Sequence, residues 1–76
     1  MAKLSKRDEE KYLQGFGANI RSLRIKRGWT LEETEDHGWT SWRHLQKIES
    51  GKNITLKTVF KLADLFDVAP KDLMSF

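Results

Sequence analysis

Residues 30–51 read TLEETEDHGWTSWRHLQKIESG, and the way this stretch divides decides what the chain can fold into. Thr30 and Glu33 have the T-x-x-E spacing of a capping box, so a short helix starts at Leu31 and stops before Gly38. Ser41 suits the N-cap of a further helix, Trp42 to about Ser50, which Gly51 terminates. At 100° per residue, Leu45 and Ile48 fall on one side of that helix and Arg43, Gln46 and Lys47 on the other. Arg and Lys pair with guanine and Gln with adenine in the major groove, which is wide enough for a helix. Three polar side chains are also what any solvated face requires, so the trio gains meaning only from its frame. Trp42 lies about 90° from the core centre, where it either covers the helix junction or meets DNA.

Upstream, Leu13, Phe16, Ile20 and Leu23 recur at helical intervals, and this helix ends at Gly28 with Lys26 and Arg27 in its last turn. Ser5 and Asp8 could cap an extension, although Gly15 and Gly17 each weaken a continuous helix by roughly 1 kcal/mol. Residues 1–11 are therefore a basic arm or a helix extension, and residues 12–76 the domain proper. Downstream, Thr55 caps a helix with Leu56, Val59, Leu62, Ala63 and Phe66 as its buried stripe. A last turn opens at APKDL, residues 69–73, with Pro70 at its first position, Asp72 at its positive end and Leu73 packing back. With no strand-like alternation, the fold class is all-α: a compact bundle of about five short helices containing a helix-turn-helix.

The 76 residues suffice for one small domain, and no apolar run approaches the roughly 20 needed to cross a bilayer. With no signal-peptide apolar core in MAKLSKRDEEKY (1–12), a soluble cytoplasmic protein is expected, and with no cysteine it has no disulfides. The net charge of +3 is unevenly placed. Residues 1–29 hold eight basic and three acidic side chains, residues 30–41 four acidic and none basic, and residues 42–61 five basic and one acidic. No nucleophile with a positioned base, Gly-rich phosphate loop or metal-ligand spacing can be assembled, so no enzyme, metal or cofactor is expected.

Within this frame, IRSLRIKRGWTLEE (20–33), SWRHLQKIESGKN (41–53) and TLKTVFKLADLFDVAPKDL (55–73) resemble successive blocks of the lambda-repressor-like (Cro-type, XRE) helix-turn-helix family. The likeness covers residues 13–74. It implies a bacterial or phage-borne transcriptional regulator that reads double-stranded DNA with the helix at 42–50. Trp42, Arg43 and Lys47 match the base-reading positions, with Gln46 beside them on the wheel. Thr30, Ser41, His44, Ser50, Lys52 and Asn53 match helix ends and loops that approach phosphates. Arg24 and Glu49 match a pair that forms an internal salt bridge.

The departures matter equally. Leu31 stands where the family commonly has a phosphate-touching Gln, Thr34 and Glu35 replace a buried Leu-Ala pair, and Gly38 comes one residue early, leaving Trp39 at the turn. Trp39 is expected to fill volume that the smaller side chains leave, and most of the acidic run Glu32, Glu33, Glu35, Asp36 to face solvent. Palindromic operators imply a homodimer with reading helices roughly 34 Å apart. Phe60, Leu65, Val68, Leu73, Met74 and Phe76 are its interface candidates, or else complete the core of the monomer. With no ligand-binding domain after residue 76, no small-molecule effector is expected. Two rivals remain: a protein-interaction module whose acidic helix docks a basic partner, and a binder of nucleic-acid backbone without sequence preference.

Overall fold

The computed structural model describes residues 3–75, among which there are five helical elements and no strand. The first helix, α1, runs Lys6–Lys26. Its start is fixed by Ser5 and Asp8, each taking the other's backbone N–H at 3.1 Å. Residues 6–11 thus form a helix extension, exposed along its length. Farther along, Phe16 and Ile20 are buried and Leu13 and Leu23 half-buried. The helix closes at Gly28, whose φ of 76° lets the N–H of Trp29 reach the Arg24 carbonyl at 3.1 Å.

The helix expected from Leu31 is a 3-10 helix, Glu32–His37. The Thr30–Glu33 box caps it: Thr30 N–H donates to Glu33 Oε1 at 2.9 Å, and Glu33 N–H to Thr30 Oγ1 at 3.1 Å. Thr34 sits at its centre, fully buried, and its hydroxyl donates to the Leu31 carbonyl at 2.5 Å. That local bond accompanies the tighter i-to-i+3 winding. Gly38, at φ 104°, turns the chain so that Trp39 N–H reaches the Thr34 carbonyl and the Trp39 ring enters the core at 6% exposure. Beside a buried threonine, this ring supplies bulk that the 3-10 helix does not. Its Nε1–H is buried and finds no partner among the described residues.

Helix α2, Trp42–Glu49, buries Leu45 and Ile48 completely or nearly so. Ser41 occupies the N-cap position with extended backbone, yet its side chain makes no capping bond. The expected serine cap is absent, and the N–H one position earlier, that of Trp42, is taken by Glu35 Oε2 at 2.7 Å. Glu35 therefore faces the next helix rather than solvent alone, because the early glycine brings the 3-10 helix against the start of α2.

Helix α3, Leu56–Phe66, is capped by the Thr55 hydroxyl, which accepts the Thr58 N–H. Val59, Leu62, Ala63 and Phe66 are buried, but Leu56 is 67% exposed. The buried stripe is one residue shorter than its spacing predicts, because Leu56 lies in the first turn, beyond the reach of the core. Helix α4, Pro70–Leu73, brings Leu73 back to complete burial, and Asn19 Nδ2 donates to its carbonyl at 2.8 Å. Leu73 is thus a core residue and not an interface one. Leu65 and Val68 also pack against the core, half-buried, whereas Phe60 and Met74 are exposed. Phe76 lies outside the described residues.

Gly17 explains a glycine inside a helix. A Cβ there would press into the carbonyl oxygens of Ile48 and Glu49, the latter at 2.7 Å. The two helices meet backbone to backbone, which fixes the angle at which α2 leaves the body.

Candidate nucleic-acid interface

Burial of Leu45 and Ile48 leaves Arg43, His44, Gln46 and Lys47 exposed on the rest of α2. The Arg43 guanidinium lies 5.1 Å from the centre of the Trp42 ring, a cation–π distance, and Trp42 itself is half-buried. Trp42 therefore packs partly against the fold and supports Arg43 at its edge. His44 stacks on Trp39 at 5.7 Å, so the turn and the outward face of α2 are joined.

The helix is held from behind by Arg24. Its Nε donates to Glu49 Oε2 at 2.8 Å, its Nη2 to Glu49 Oε1 at 3.0 Å and its Nη1 to the Trp29 carbonyl at 2.8 Å. The two side chains are only 11% and 8% exposed, and the carboxylate raises the Arg24 pKa further above its ordinary value. This guanidinium is spent on the fold. It ties α1, the turn at Trp29 and the end of α2 into one unit.

The residues at the ends of the elements have distinct settings. The Thr30 hydroxyl is engaged in the capping box, and the bond to Thr30 holds the Glu33 carboxyl below its usual range. Ser41 is half-buried, and Ser50 donates its hydroxyl hydrogen to the Lys47 carbonyl at 2.7 Å. Lys52 and Asn53 are exposed in the loop after Gly51, where Lys52 N–H bonds the Lys47 carbonyl.

Residues that sequence reasoning missed complete the picture. An open cleft of about 300 Å³ is lined by Arg21, Arg24, Leu31, Gln46, Glu49 and Ser50, which places Arg21 beside the outward residues of α2. Its position one turn before Arg24 was the available signal. Arg27 donates to the Phe66 carbonyl at the end of α3, a contact that no spacing rule reveals. No group of side chains among the described residues could hold a metal ion.

A helix-turn-helix family model matches residues 20–73, well over half of the chain. The chain belongs to the lambda-repressor-like (XRE) helix-turn-helix family. Comparison with curated proteins and with solved structures gave no significant match. The family is one of DNA-binding regulators and not typically of enzymes, and a DNA-binding regulator is what this helix-turn-helix protein is. In the helix-turn-helix, α2 is the second helix of the pair, preceded by the 3-10 helix and the Gly38–Ser41 turn. No helix among the described residues is long and apolar enough to cross a membrane.

Proposed function

We propose that the protein is a sequence-specific regulator that inserts α2 into the major groove of a palindromic double-stranded operator. The observation that carries this reading is the division of α2: one face locked by Leu45 and Ile48, the other offering Arg43, Gln46 and Lys47 to the outside. Arg43, steadied on Trp42, and Lys47 take guanine edges, and Gln46 an adenine. Lys52 and Asn53 grip phosphate, with Thr30, Ser41, His44 and Ser50 at the flanking helix ends. Arg21 supplies cationic reach beside Leu31, where the family's glutamine is missing.

Two recognition helices are needed for a palindrome, and the protein supplies them as a homodimer. Leu56 and Phe60, one helical turn apart on α3, are 67% and 52% exposed, and Met74 and Tyr12 are exposed with them. Tyr12, Leu56 and Met74 line one apolar depression. This face keeps Phe60 and Met74 of the expected interface candidates and adds Leu56 and Tyr12 in place of the buried Leu73.

Selection of bound duplexes from a random pool tests specificity, half-site symmetry and spacing together. A salt titration on the selected duplex and a scrambled one follows. Log affinity should fall by about 0.9 per neutralised phosphate per decade of salt for both, with a large ratio retained between them. Arg43→Ala should erode that ratio about 5- to 150-fold at one base position, whereas Lys52→Ala should weaken both duplexes alike. Specificity untouched by Arg43→Ala would refute this reading face. Equal binding of all duplexes would leave a backbone binder, and no DNA binding would favour a basic protein partner docked on the exposed Glu32, Glu33 and Asp36.

A further inference from the structure

The reading end of α2 carries a negative charge that comes from another element. Ser41 stands at the N-cap but takes neither the Arg43 nor the His44 N–H that a capping serine would, while Glu35, seven residues before Trp42, accepts the Trp42 N–H at 2.7 Å. Gly38 in its left-handed conformation and the buried Trp39 fix the turn between the two, and the Arg24–Glu49 pair fixes α2 from behind. Only Oε2 is engaged; Oε1 accepts nothing among the described residues, and Glu35 is exposed. The cation nearest in sequence at this end, Arg43, lies over the Trp42 ring and makes no ion pair with it.

The N-terminal residues of a recognition helix are the ones brought to base edges, so this oxygen accompanies them into the groove. A bare helix N-terminus attracts phosphate without regard to sequence. A carboxylate anchored there repels phosphate, and it can be satisfied only by donors, which base edges offer as the exocyclic amines of cytosine and adenine. We infer that Glu35 is a specificity-determining residue: it penalises docking on the DNA backbone and is tolerated only where the base sequence presents an amino group. This rests on α2 being the reading helix.

The test compares wild type, Glu35→Gln and Asp36→Asn on the duplex recovered by selection and on a scrambled duplex of the same composition. Glutamine keeps an oxygen for the Trp42 N–H and removes the charge, so the melting temperature should stay close to that of wild type. Affinity for the scrambled duplex should rise about tenfold and that for the selected duplex by much less, lowering the ratio between them. Asp36→Asn, on the same 3-10 helix but without a bond to α2, should leave the ratio unchanged. Equal gains on both duplexes, an unchanged ratio for Glu35→Gln, or an equal fall for Asp36→Asn would each overturn the assignment. A wild type that does not distinguish the duplexes would instead refute sequence reading itself, and this inference with it.

Discussion

At the scale of single residues, two positions without chemistry to perform hold α2 in place. Gly17 leaves room for the end of α2 to touch α1. Gly17→Ala should therefore destabilise the fold by about 2–3 kcal/mol in chemical denaturation, although alanine is the better helix former by about 1 kcal/mol. A stabilised variant would mean that the helices separate easily. Glu49 is the second case. Glu49→Gln leaves the largely buried Arg24 without its counter-charge and should cost about 3 kcal/mol, while Arg24→Met with Glu49→Leu should recover most of that loss. A double variant as weak as the single one would show that the pair contributes more than the mutual satisfaction of its charges.

At the scale of elements, the 3-10 helix responds to acid. Its cap requires an ionised Glu33, whose carboxyl is held below the usual range by the bonds to Thr30. A depressed folded-state value means that the stabilisation is complete above the ordinary carboxylate range and is lost as the pH falls through and below it. Glu33→Ala should lower the denaturation midpoint at neutral pH and change little in acid, where the wild-type carboxyl is already protonated. This cap was legible in the sequence because its partners are three residues apart, as were the Ser5–Asp8 box and the inward Leu45 and Ile48. The Glu35 bond was not. It spans seven residues across a turn whose geometry depends on Gly38 and on where the Trp39 ring goes, so no local spacing encodes it.

At the scale of the whole molecule, helical periodicity placed the core because most of its members repeat on one face of an element. It failed at Leu56, which sits a turn before the stripe and points out, whereas Leu73, in a four-residue helix with no period to read, was expected from the Pro70 and Asp72 signals and does pack back into the core. The exposed pair Leu56 and Phe60 gives the proposed dimer a direct test. Leu56→Glu with Phe60→Glu should leave the helical spectrum intact and raise the dimer dissociation constant by about tenfold or more in sedimentation. An unchanged constant would move the interface elsewhere.

The three tryptophans stand in three different surroundings: Trp29 stacked on His37, Trp39 sealed in the core, and Trp42 under an arginine at the start of α2. Each is therefore a separate optical probe of its own neighbourhood. Emission from Trp39 should follow unfolding, and that from Trp42 should follow the approach of DNA if α2 enters the groove as proposed. With Trp42→Phe the change in emission on adding operator should vanish, and with Trp39→Phe it should persist, so the chain carries its own label for timing the encounter.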